Sequence, residues 1–216
     1  MTTSRVSRVV LCLLVFALVS VPGWADADDT TTQFAKVWTF PGDEPQTLIQ
    51  PATATLSRTD AGVGFEISVR GLTPGHAYTV WWVVFNRPEN CIVPNVCALA
   101  DLTGGPGGPA RDSIFWGTGE VADAAGKAHF SGHAYANGVV PGQRLWGAGV
   151  RNTSAEIHFV VRCHGLYDIL TTLEKYESLT RFNGACEAGD TNDGECVDVA
   201  VTVFSPPDDD DDSDSE

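Results

Sequence analysis

The chain has 216 residues, 43% of them hydrophobic and 19% charged, with a formal net charge of −15. That size and apolar share suit a single folded domain with long loops. Such an acidic balance excludes nucleic acid and anionic membrane surfaces as natural partners. Arg5 and Arg8 open the chain and an apolar run follows from Val9 to Val21. Small residues then stand at −3 and −1 for cleavage after Ala25 or after Ala27. Basic, apolar, then small is the order of a secretory signal peptide, and the run is shorter than the roughly 20 apolar residues that span a bilayer. The expected organisation is a signal peptide at 1–25, a linker at 26–33, one domain at 34–204 and an acidic tail at 205–216. The tail, DDDDDSDSE, repels itself and is expected to stay disordered. A secreted or periplasmic protein with no membrane association after cleavage is expected.

Between these ends the pattern has period two, the signature of strands. Val63, Phe65, Ile67 and Val69 alternate with Gly64, Glu66, Ser68 and Arg70. The same alternation runs through Ala128 to Ala134, Ile157 to Cys163 and Val197 to Val203. Tyr78 to Phe85 is apolar on both faces, which predicts a central strand covered on both sides. Asp123 to Lys127 predicts a hairpin between a strand near Ile114 to Val121 and the strand through Phe130. Helix-like spacing of Ile169, Leu170, Leu173 and Tyr176 marks one helix candidate, Asp168 to Phe182. The longest loop, Arg87 to Arg111, is either functional or disordered by its length. Many short strands with Gly/Pro turns predict an all-β fold, an antiparallel Greek-key sandwich of the immunoglobulin or fibronectin kind with long loops.

Beyond the leader the chain carries Cys91, Cys97, Cys163, Cys186 and Cys196. An exported chain meets an oxidising compartment, so disulfides are expected. The pairs close in sequence are Cys91 with Cys97 and Cys186 with Cys196, leaving Cys163 free and, by alternation, pointing into the core. Sequence alone does not fix the connectivity.

Leu72, Pro74, Gly75, Tyr78 and Val80 match the L-x-P-G-x-x-Y-x-V pattern of fibronectin type III domains. The stretch resembles a tyrosine corner, in which a Tyr hydroxyl bonds back to the backbone beside a Pro-Gly turn. A wider set, GLTPGHAYTVWWVVFNRPENC with HFVVRCHG (His158 to Gly165), FNGAC and CVDV, is similar to a family of exported bacterial proteins of unknown function, over roughly 51–204. That resemblance implies no reaction. The family carries Ser more often at the position of Cys163, which implies that the extra thiol is local to this chain.

Histidines supply the candidate chemistry. His129, His133, His158 and His164 fall on the polar side of their strands, with Glu156 beside them. Along a straight strand His129 and His133 are ~13 Å apart and His158 and His164 ~20 Å, too far to share one ion. A copper or zinc site therefore needs cross-strand partners, such as His129 or His133 facing His158, with Glu156 as a third ligand. Solvated or hydrogen-bonded histidines are the plainer alternative. The acidic loop Cys186 to Cys196 offers Asp190, Asn192, Asp193 and Glu195 but misses the EF-hand spacing by one residue. Trp81 and Trp82 must point to opposite faces. One belongs to the core, and an outward one would suit stacking on sugars unless a loop covers it. The motifs G-x-S-x-G and H-E-x-x-H and a phosphate-cradling glycine loop are all missing. The first expectation is a non-catalytic binding or structural module with a glycan or protein partner. A copper or zinc protein using the histidines is the second, and a carbohydrate-binding module the third.

Overall fold

The computed structural model describes residues 30–41, 45–104, 107–140 and 142–207. The leader at 1–25 and the acidic run from Asp208 lie outside the described residues. In chain order the strands are β1 (Thr31–Ala35), β2 (Trp38–Thr39), β3 (Thr53–Thr59), β4 (Gly62–Val69), β5 (His76–Phe85), β6 (Asp112–Val121), β7 (Ala128–Tyr135), β8 (Arg144–Trp146), β9 (Glu156–Leu166) and β10 (Val197–Phe204), with one helix, α1 (Thr172–Glu177), before the last. They form two antiparallel sheets, β1-β3-β4-β7 and β2-β10-β9-β5-β6-β8. The fold is the expected β-sandwich.

Alternation explains the core. Leu56, Phe65, Ile67 and Phe130 from the smaller sheet face Trp82, Phe115, Ile157, Phe159 and Phe204 from the larger, and all are buried. Trp82 sits at the centre, with Phe65 edge-on at 5.1 Å, Phe115 stacked at 5.4 Å and Phe159 at 4.6 Å between ring centroids. Buried Cys163 also faces this side and is the free cysteine of the described residues. Arg58 ties the strand ends together: its guanidinium donates to Gln33, to the Thr153 and Ala155 carbonyls and to the Ser205 carbonyl. Burial without a carboxylate partner pushes its pKa down to about 10.

The Tyr78 hydroxyl accepts the Thr73 N–H at 2.9 Å, and burial pushes its pKa up to about 12, with Cys163 adding to the rise. The hairpin expected at Asp123 is only half present. The turn forms, with Asp123 N–H on the Lys127 carbonyl and Lys127 N–H on the Asp123 carboxylate. The strands it joins then part: β6 pairs with β5, and β7 with β4. The cause is the 72–76 segment, which takes the Gly126 and Ala122 carbonyls through Leu72 N–H and Gly75 N–H. The turn thus bridges the two sheets.

The helix candidate shrinks from Asp168–Phe182 to Thr172–Glu177. Thr171 and Glu174 cap it reciprocally, the two-way arrangement their spacing permits. Leu170 is buried, but Ile169, Leu173 and Tyr176 are exposed, so the helix-like spacing there builds no packed face. Among the described residues no helix is long and apolar enough to cross a membrane.

Candidate ligand cleft on the outer face of the larger sheet

The smaller sheet shows a solvated outer face, as antiparallel sheets commonly do; His129 and His133 are exposed there. The larger sheet is roofed. A second apolar cluster, centred on Trp81, Val83, Phe85 and Ile114, lies under the Cys91–Cys97 loop and the segment around Phe182. The disulfides are Cys91–Cys97 and Cys186–Cys196, each worth roughly 2–3 kcal/mol in the chain-entropy model. Both fit an oxidising environment.

Polar pins hold the long loop, which is ordered over its described part. Asp101 accepts the Ile92 and Ala98 N–H groups. Asp112, fully buried, accepts Thr103 N–H and hydroxyl on one oxygen and the Trp146 indole N–H on the other. Glu156 accepts the Cys97 N–H at 2.9 Å. Four of the loop's backbone donors, at Ile92, Cys97, Ala98 and Thr103, are thereby matched to carboxylates, and others bond carbonyls within the loop.

Glu156 does a second thing. It lies two residues from His158 on the same face of β9, and its Oε1 meets His158 Nε2 at 2.6 Å. Glu156 is 1% exposed, and its Oε2 has no hydrogen-bond partner among the described residues. The imidazole is flanked by Val83 on β5 and Val203 on β10, with the Phe85 ring edge-on at 5.2 Å. An imidazole that donates through Nε2 and is neutral keeps Nδ1 as an acceptor; Nδ1 here has no hydrogen bond among the described residues. This ring lines an apolar cleft of about 510 Å³ between Phe40–Pro41 on one side and Leu99–Leu102 on the other. Its floor is Val83, Val160 and Val201. Leu99 on its rim is exposed, as are Ile92 and Val96 in the disulfide-closed loop just before it.

The other expected residues fall elsewhere. β7 belongs to the smaller sheet and β9 to the larger, so His129 and His133 do not face His158. His129 bonds Ser68 and His133 packs on Tyr135. Of the five candidate ligands, only Glu156 and His158 touch. His164 is not on a solvated face, because the 178–196 segment covers that end of β9. It is fully buried, with Nδ1 donating to the Gly184 carbonyl at 3.0 Å and Nε2 facing the Thr79 hydroxyl at 2.7 Å. Burial pushes its pKa down to about 4, against the bond to Gly184. In the acidic loop Asn192 is buried and donates to the His164 and Leu166 carbonyls, while Asp190 and Asp193 accept backbone N–H groups of their own turn. Neither paired tryptophan is open to a sugar: Trp81 is 1% and Trp82 0% exposed, and Phe182 stands edge-on over Trp81 at 5.1 Å. A more open hollow, lined by Trp116, Gln143, Tyr176 and Arg181, does present aromatic and planar polar groups.

The sequence contained the Glu156–His158 spacing but not the cleft. Phe40, Leu99 and Val201 come from three distant segments, and only the fold brings them together. Compared with known protein families, curated proteins and solved structures, the chain matches none of them.

Proposed function

We propose that this is an exported binding module whose ligand seat is the cleft over Glu156 and His158. The observation that carries the reading is one partly buried, hydrogen-bonded imidazole in a mostly apolar cleft, backed by a carboxylate oxygen with no partner among the described residues. Ligand sites are mostly apolar with a few placed polar groups, and this cleft has that composition. The basic and apolar leader, with the two disulfides, supports action outside the cytoplasm, secreted or periplasmic. The likeness of the GLTPGHAYTVWW and HFVVRCHG stretches to exported bacterial proteins agrees with it.

The chemistry selects the ligand class. The Nδ1 edge of His158 offers one hydrogen-bonding position, and the valine floor and Phe85 take an apolar body. The buried Glu156 carboxylate and the net charge of −15 repel anions. The best fit is a small uncharged aromatic alcohol or a side chain of that shape. Calorimetry with a panel of substituted phenols tests this. Binding is expected to weaken roughly tenfold in His158→Phe, the loss of about one hydrogen bond, and also in Leu99→Asp at the exposed rim. Flat heats across the panel, or equal binding by both variants, would remove this reading. Glycan titrations follow the hollow at Trp116 and Tyr176. Quenching of tryptophan fluorescence there, with the phenol panel silent, would favour the carbohydrate reading instead.

A further inference from the structure

The geometry points to a second site, independent of the cleft: once the Cys186–Cys196 disulfide is reduced, both sulfurs and His164 Nδ1 bind a thiophilic metal ion of the zinc class. The ligand atoms already converge. Nδ1 lies 3.3 Å from Cys196 Sγ and 4.0 Å from Cys186 Sγ. In a tetrahedral zinc site, with Zn–S ≈ 2.3 Å and Zn–N ≈ 2.0–2.1 Å, neighbouring sulfur and nitrogen ligands stand about 3.5 Å apart and two sulfurs about 3.8 Å. The nitrogen–sulfur edges therefore stand near their metal-bound lengths. Only the sulfur–sulfur edge, a covalent bond in the disulfide, must open. The Gly184 carbonyl is 3.0 Å from Nδ1 and 3.6 Å from Cys186 Sγ, placing a fourth donor on the same side.

The surroundings suit a metal-ligating histidine. Such a ring is normally held by a second-shell partner on its other nitrogen. Here Nε2 faces the Thr79 hydroxyl at 2.7 Å, and that hydroxyl is itself fixed by the Trp81 indole N–H at 2.8 Å. Two thiolates and one neutral imidazole also cancel a divalent charge, which a buried site requires. The Asn192 bond to the His164 carbonyl holds the loop over β9, so reduction need not release it.

The steps balance. A dithiol reductant gives two electrons and two protons to the disulfide, leaves as its own disulfide, and yields two thiols. The metal ion then displaces both thiol protons, and the Nδ1 proton passes to Nε2, which donates to Thr79. The oxidised protein has no thiolate at this position and binds no metal there.

The test uses full-length protein, reduced with a phosphine, desalted without oxygen and titrated with cobalt(II). One equivalent with thiolate-to-cobalt charge-transfer absorption is expected in the reduced protein, and none in the oxidised. Zinc should displace the cobalt. The Cys186→Ser/Cys196→Ser pair should abolish the absorption, and His164→Gln should weaken binding at least 100-fold. Should His164→Gln fail to fold, the serine pair decides alone. Absence of the absorption in reduced protein that keeps its near-ultraviolet dichroism would overturn the inference. So would absorption that survives in the serine pair, since it would place the ion on Cys91, Cys97 or Cys163.

Discussion

Trp81 and Trp82 are consecutive on β5, and their surroundings divide the molecule. Trp82 enters a core of aromatic and aliphatic side chains supplied mostly by strands. Trp81 enters a layer built from loops, with two disulfides, three buried carboxylates and two histidines within it. Both are almost fully buried, yet different forces hold their neighbours. The inner face rests on area removed from water, which needs no directional partner. The outer face rests on matched donors and acceptors, and it is the face where a polar pair or a ligand can be placed.

Substitution at Trp82 probes the first half of this contrast. Trp82→Ala is expected to cost about 3–5 kcal/mol, the range for a large aromatic removed from a packed core. Urea unfolding should show a lower midpoint with an unchanged slope. A loss under 1 kcal/mol would mean that the sheets do not pack around this ring.

The second half is sensitive to pH. In the oxidised, metal-free protein the folded state holds His164 neutral, its pKa down at about 4, against 6.5 for a free imidazole. Between those values the unfolded chain binds more protons, so stability rises with pH across that window. The contribution is fully present above pH 6.5 and is lost as pH falls toward 4, amounting to about 3 kcal/mol. His164→Gln should flatten that slope, read from unfolding midpoints at a series of pH values. An unchanged slope would assign the effect to other groups.

The Cys91–Cys97 loop tests whether the outer layer loosens by itself. Cys91→Ser with Cys97→Ser should cost about 2 kcal/mol for so short a loop. Hydrogen exchange should quicken at Ile92 and Cys97 while Phe65 and Phe159 amides stay protected. Uniform quickening would show the layers to be one cooperative unit. The smallest effect belongs to Thr171→Ala, which removes a helix cap and should cost about 1 kcal/mol in urea. Its partner Glu174 also accepts Thr191 N–H at 2.7 Å, so exchange at Thr191 should quicken too.

The inner face was readable because alternation reports it directly. Val63 to Val69, Ile157 to Cys163 and the double-sided run Tyr78 to Phe85 all lie where their period places them. The outer face was not, because alternation says which side a residue faces and not what covers it. His158 and His164 share one face of β9. One ends in a cleft and the other under a loop, and only tertiary packing decides which. Hairpin pairing failed for a similar reason: the 72–76 segment claims the carbonyls that a local turn signal cannot assign. The helix was overextended because Ile169, Leu173 and Tyr176 have helical spacing without a surface to pack against. The disulfide pairs were legible from proximity, but their placement over His164 and beside Glu156 was not.

Nitrogen NMR of the full chain with ¹⁵N-labelled histidine tests the central claim most directly. It reports both ring nitrogens of His158 as para-cresol is added. The expected result is Nε2 bonded to Glu156 and an Nδ1 resonance that shifts and saturates with ligand. An Nδ1 resonance that stays fixed at saturating cresol would contradict the cleft as the seat of function.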